Sequence, residues 1–187
     1  MSTYSILWQG FFLPGHEIGG MNRLGKQLEL LGTCVFAWRN KPCVLSYSVM
    51  TDRQGRTRRA RVEGWLGRKA VDVRIGVDAA RRWRLNGKVR PEVEGCDDVD
   101  LNFSPSTNIL PIRRLSLSIG ERAPIRAAWL RFPDFSLRPL SQEYRRTGPR
   151  TYRYSSSGFS AALTVNRAGL VTRYGRVWKA VAERGPL

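Results

Sequence analysis

Beyond its opening segment the chain reads as short runs of alternating apolar and polar residues, broken by turn residues roughly every ten positions, the spacing of an all-β protein. The clearest run sets Val71, Val73, Ile75 and Val77 against Asp72, Arg74, Gly76 and Asp78. Period-two alternation predicts a strand with the first set buried and the second in water. Leu45, Tyr47 and Val49 repeat the pattern, as do Phe159, Ala161, Leu163 and Val165. Between Trp83-Arg84-Leu85 and Val89, Asn86-Gly87 predicts a type I′ hairpin, because that turn needs positive φ at both central residues. Asp52-Arg53-Gln54-Gly55 and Asn166-Arg167-Ala168-Gly169 read as two more hairpin loops. Strands joined by tight turns imply a mainly β, largely antiparallel meander.

Helical signals are few. Thr107 or Asn108 is a candidate N-cap for a short helix through Pro111 to Leu115, proline being tolerated in a first turn. Val177 to Glu183 is read as a last helical turn or two, and residues 183–187 as a frayed end. There is no internal repeat, low-complexity tract or evident linker, so residues 1–187 are taken as one domain. No stretch approaches the roughly 20 apolar residues of a membrane helix. Residues 1–20 lack the basic start and long apolar core of a signal peptide, which predicts a cytoplasmic protein.

A hydrophobic fraction of 42% in 187 residues supports an ordinary core without metal or disulfide staples. Cys34, Cys43 and Cys96 are odd in number and scattered, so they read as buried thiols. Charge changes the picture more: the formal net charge is +17. Such a field suits nucleic acid, anionic lipid headgroups or acidic partners. The cations are overwhelmingly arginine, the lysines being Lys26, Lys41, Lys69, Lys88 and Lys179. Arginine in place of lysine also follows from codon usage in a GC-rich genome, with the side chains on a solvated face.

Catalytic chemistry finds little footing. His16, in Pro14-Gly15-His16-Glu17, is the only histidine, so a transition-metal site lacks ligands; a turn role fits it better than catalysis. Gly158-Phe159-Ser160-Ala161-Ala162 misses the last glycine of a nucleophile elbow. Asp97-Asp98-Val99-Asp100 invites a calcium loop, but a loop begun at Asp98 has Phe103 where glycine is needed and Ile109 where glutamate is needed. No cofactor fingerprint occurs. Arg56 to Arg61 is the densest basic stretch and reads as a strand with a charged outer face. Trp65, Trp83, Trp129 and Trp178 are candidates for base stacking, though tryptophan in β-rich proteins more often belongs to the core. A curved sheet of this kind often encloses a concavity for an apolar ligand.

One long stretch is more specific. Gly95-Cys96-Asp97-Asp98-Val99-Asp100-Leu101-Asn102-Phe103-Ser104-Pro105-Ser106-Thr107-Asn108-Ile109-Leu110-Pro111-Ile112-Arg113-Arg114-Leu115 closely resembles the signature of the putative glycolipid-binding family. The likeness continues through Ala127-Ala128-Trp129-Leu130-Arg131-Phe132-Pro133, Gln142-Glu143-Tyr144-Arg145-Arg146 and Tyr152-Arg153-Tyr154, and upstream through Pro14-Gly15-His16-Glu17 and Trp83-Arg84-Leu85-Asn86-Gly87. It spans roughly residues 8–178. Two places depart from the pattern: Gln54-Gly55 stands where a tryptophan is expected, and Tyr174-Gly175-Arg176 replaces a Tyr-Pro-Gly-like turn.

The resemblance implies a spiral β-roll, one many-stranded sheet curled around a single helix, commonly as a homodimer. It also implies a non-enzymatic binding or carrier protein for an amphipathic ligand such as a glycolipid, held in a β-roll cavity. Candidate ligand contacts are Asn108, Arg113, Arg114, Tyr144, His16 and Glu17, with no catalytic, metal or cofactor site. The signature also has a structural reading, preferred at this point: Asp98 and Asp100 pair with Arg113 and Arg114, and the prolines stiffen the turn. The positive charge suits docking on an anionic membrane surface. A basic nucleic-acid- or anion-binding module is the alternative, and an uncharacterised hydrolase ranks third.

Overall fold

The computed structural model describes residues 3–185. One half of the chain supplies β1 (Thr3–Gly10), β2 (Gly15–Leu24), β3 (Gln27–Trp38), β4 (Lys41–Thr51), β5 (Thr57–Leu66), β6 (Lys69–Val77), β7 (Trp83–Leu85) and β8 (Lys88–Val89). Then come β9 (Val99–Leu101) and α1 (Ile109–Leu115). The other half supplies β10 (Arg122–Leu130), β11 (Leu137–Gly148), β12 (Thr151–Ser156), β13 (Phe159–Val165), β14 (Val171–Tyr174) and β15 (Trp178–Arg184). Among the described residues these form one 15-stranded sheet in the order β8-β7-β6-β5-β4-β3-β2-β1-β15-β14-β13-β12-β11-β10-β9. Each half is thus a meander, and the first and last strands of the chain join the two. All pairs are antiparallel except β9–β10. The edges β8 and β9 do not pair, so the sheet curls without closing.

The turn chemistry behaves as its residues dictate. Asn86 and Gly87 both take positive φ, 49° and 80°, and close the β7–β8 hairpin. Asp52 Oδ1 accepts from the amides of Gln54 and Arg56, and Asn166 Oδ1 from those of Ala168 and Leu170, each side chain bracing its own turn. The run from Val71 to Val77 is buried at every second residue. On β13 the alternation holds only at Leu163 and Val165, because Phe159 at the strand's start is 41% exposed.

The helix forms where expected, preceded by a 3₁₀ turn at Ser106–Asn108. Asn108 occupies the N-cap position without a side-chain capping bond, and Ser116 ends the helix in the left-handed conformation. Ile109 and Leu110 join the core formed by β1–β7, β9 and β10. Ile112 packs into a second cluster with Tyr144, Tyr152, Tyr154 and Leu163. The helix is therefore the plug between two halves of the roll. Trp8 and Trp83, both fully buried, fill the interior beside it and donate from Nε1 to the carbonyls of Val171 and Cys96. Trp178 is also core, whereas Trp65 lies exposed on the outer face. The three cysteines are buried thiols.

The C-terminal reading needs correction. Val177 to Glu183 is not helical: β15 runs from Trp178 to Arg184 and pairs with β1 from Ser5 to Gly10. Ala180, Ala182 and Glu183 favour helix whereas Val177, Trp178 and Val181 favour strand, and the open edge of β1 decides between them. Glu183 and Arg184 are consequently strand residues, while residues 186 and 187 lie outside the described residues, as do residues 1 and 2.

Candidate functional site

The six nominated residues fall into four places. Glu17 points inward from β2 and is fully buried. Its Oε1 accepts from the Tyr47 hydroxyl and the Ser104 hydroxyl, both at 2.6 Å, and Ser106 extends the chain at 2.8 Å. Its Oε2 has no partner. Burial pushes the Glu17 carboxyl up to about 7, against the pull of the Ser104 and Tyr47 bonds. His16, one residue earlier, is exposed on the opposite face.

Asn108 and Tyr144 belong to a second, small polar nest. Tyr144 OH donates to Asn108 Oδ1 at 2.8 Å, and Asn108 Nδ2 donates to the Pro105 carbonyl. Burial holds the Tyr144 phenol well above its ordinary range. Beside them Gln142 Nε2 donates to Asp100 Oδ2 at 2.5 Å, and burial pushes Asp100 up to about 6. Asp100 thus takes its bond from an amide and not from an arginine. Arg114 does meet Asp98, at 2.5 Å, and Asp97 at 3.4 Å. Asp98 is 2% exposed, its Oδ1 is unpartnered, and burial keeps its carboxyl above the usual range despite the guanidinium. Arg113 instead donates to the Ala168 carbonyl at 2.9 Å.

Arg113 and Arg114 line a cleft of about 300 Å³ that the sequence did not reveal as a unit. Arg23 comes to it from the end of β2, Lys26 from the β2–β3 turn and Arg53 to Gly55 from the β4–β5 turn, and Leu28 and Leu110 supply apolar wall. The cations are far apart in sequence, so only the register of two neighbouring hairpins brings them together.

A larger concavity, about 530 Å³, opens on the outer face of β1–β5. The pairing lays two outward rows side by side: Ser5, Gly20, Leu31, Ser48 and Arg61 in one, Leu7, Ile18, Thr33, Ser46 and Glu63 in the other. Gly20 puts no side chain outward, which leaves a pit between Ser5 and Leu31. Ile18 is 58% exposed and Leu31 40%. Thr33 and Ser46 share a hydrogen bond at 2.9 Å, and Arg61 pairs with Glu63 at 2.7 Å. Beneath the groove Gly32 makes room for Tyr47: a Cβ there would stand 2.3 Å from the phenol oxygen. Ile18 and Leu31 carry no polar or charged signal in the sequence; the signal available was the glycine set Gly19, Gly20 and Gly32 inside strands.

The sequence pattern of the family described as putative glycolipid-binding matches residues 5–180. The chain belongs to this family. Among solved structures it is similar to a DUF1089 family protein from Pseudomonas aeruginosa, with a TM-score of 0.75 and 29% identity over 87% of this chain and 91% of that one. A β-barrel-like protein of the domain of unknown function DUF1849 from Brucella abortus shares the fold, with a TM-score of 0.54 and 10% identity over 98% of each chain. No curated protein matches. Among the described residues, the curled sheet around one short α-helix is the architecture the family's signature implied. No helix among the described residues is long and apolar enough to cross a membrane.

Proposed function

We propose that this protein is a non-enzymatic binding or carrier protein for an amphipathic ligand, with a glycolipid as the class its family suggests. The observation that carries the reading is the outer groove, where exposed Ile18 and Leu31 meet the hydroxyls of Ser5, Thr33, Ser46 and Ser48 and the Arg61–Glu63 pair. A surface that is apolar on its floor and polar on its rim suits a ligand of the same mixed character. The interior of the roll, by contrast, is occupied by packed side chains around Trp8, Trp83 and Phe103, so the ligand is assigned to the outside of the sheet. Arg113 and Arg114 do not reach the groove; they line the cleft at the end of α1. Asn108, Tyr144 and Glu17 turn their hydrogen bonds inward, and His16 stands on the groove's face two residues from Ile18.

Native mass spectrometry of gently purified protein, followed by organic extraction, tests the reading. A stoichiometric amphiphile, lost in the double variant Ile18→Thr/Leu31→Thr at unchanged stability, supports it. Protein that takes up no lipid on titration, or a stable dimer that covers Ile18 and Leu31 and ignores lipid, sinks it.

A further inference from the structure

The groove leaves the protein's charge unexplained, and the cleft at the end of α1 bears on it. Its walls come from three separately anchored elements. Gln27 Nε2 donates to the Thr51 carbonyl, and the Leu28 amide to Thr51 Oγ1; these bonds hold the β2–β3 turn against the β4–β5 turn. Asp52 locks the second turn through two backbone amides and its pair with Arg56. The helix end is fixed by Arg114 to Asp98 and by Arg113 to the Ala168 carbonyl. The cleft is therefore built before any ligand arrives.

Its charge is not balanced from within. Arg114 is neutralised by Asp97 and Asp98. Among the described residues, however, Arg23, Lys26, Arg53 and Arg113 have no carboxylate within 4.0 Å. Burial, and after it the neighbouring Arg23 guanidinium, hold Arg113 below the usual arginine range. The dipole of α1 favours cations in its last turn and accounts for Arg113 and Arg114. It does not account for Arg23, Lys26 and Arg53, which come from other elements.

We propose that the cleft formed by Arg23, Lys26, Arg53 and Arg113 is a binding site for a phosphate ester, separate from the outer groove. Guanidinium forks arriving from three directions fit a tetrahedral, multi-oxygen anion better than a planar carboxylate. The phosphate is that of a lipid headgroup or of a soluble phosphorylated compound. The apolar walls, Leu28 and Leu110, receive the first carbons beyond the ester. A cleft of about 300 Å³ suits one such group; a nucleic-acid duplex would need a long basic stripe.

The test compares Arg23→Gln/Arg53→Gln with Arg145→Gln/Arg153→Gln, which removes the same charge from exposed positions paired across β11 and β12. Binding is read by co-sedimentation with phosphatidylcholine vesicles with or without a quarter of phosphatidylglycerol, and by ³¹P NMR with inorganic phosphate and glycerol phosphate. Binding of the anionic vesicles should fall about 25-fold in the cleft variant, roughly five-fold per cation, with little change in the control pair. Vesicle binding displaced by phosphate identifies a lipid phosphodiester. Phosphate or glycerol phosphate binding without vesicle binding, lost in the cleft variant, identifies a soluble ester. Equal losses in both variants, or no binding of any probe, overturn the proposal. So does an oligonucleotide that binds with a steep salt dependence and is indifferent to the cleft variant. None of these readouts depends on Ile18 or Leu31, so the groove and the cleft succeed or fail separately.

Discussion

Glu17→Gln should make the protein more stable in alkaline solution while leaving it nearly unchanged in acid. The carboxyl is fully buried, with two donors on Oε1 and none on Oε2, an arrangement that suits the neutral acid. Burial raises it from 4.5 to about 7. Below the lower value the folded and unfolded states are both protonated, and the stabilisation from the raised pKa is fully present. As pH rises from 4.5 to about 7 only the folded chain keeps the proton, so stability falls. At roughly 1.4 kcal/mol per pH unit the loss over that window is about 3 kcal/mol. Glutamine keeps the acceptor for Tyr47 and Ser104 but cannot ionise, so its stability should lack this part of the slope. Urea denaturation of both proteins at pH 5 and pH 8 measures it. Wild type and variant with the same pH slope would show that Glu17 does not titrate in this window, and the buried-acid argument would fail.

Other expectations are briefer. Gly32→Ala should cost about 2–4 kcal/mol, because its Cβ would stand 2.3 Å from the Tyr47 hydroxyl inside a packed wall; an unchanged melting temperature would refute this. Arg114→Met should cost roughly 3 kcal/mol by stranding buried Asp98, and adding Asp98→Asn should recover most of it, as a double-mutant cycle by urea denaturation would reveal. Ile18→Thr/Leu31→Thr should weaken binding of a fluorescent lipid about ten-fold or more, at about 1 kcal/mol of lost apolar contact per residue, with stability altered by less than that. Gly87→Ala should cost about 1 kcal/mol by thermal denaturation from its φ of 80° alone, since no atom lies within 4 Å of the added carbon.

The fold was legible wherever local chemistry and tertiary context agreed. Val71 to Val77 alternates because one face of β6 meets the core and the other meets water. Asn86-Gly87 turns because few other pairs tolerate its dihedrals. The helix at Ile109–Leu115 begins at the nominated Asn108, although Asn108 makes no side-chain capping bond, and it ends at a left-handed Ser116 that no sequence signal marked. Where local preference was mixed, the sheet decided: Val177 to Glu183 became a strand because β1 offered an unpaired edge. The sites were less legible. Arg113 and Arg114 could be nominated, but the turn residues that share their cleft could not. Nothing in the sequence sets Lys26 beside Arg53; the alignment of two hairpins does.

The most informative illegible feature is a reversal on β2. The inside-outside rule would bury Ile18 and expose Glu17, yet Glu17 is fully buried and Ile18 is 58% exposed. A one-residue slip of register would correct both at once, so the pairing of β2 with β1 and β3 must hold the reversal against that gain. Glycines make it sterically possible: Gly19 leaves space for Trp8 and Gly32 for Tyr47. Tyr47 then stands in both environments, lining the groove and donating to Glu17 underneath. A local rule broken at a cost on both faces of one strand is what a surface kept for a partner looks like. The same residue pair that weakens the argument from hydrophobicity is therefore the strongest reason to look for the ligand on the outside of the roll.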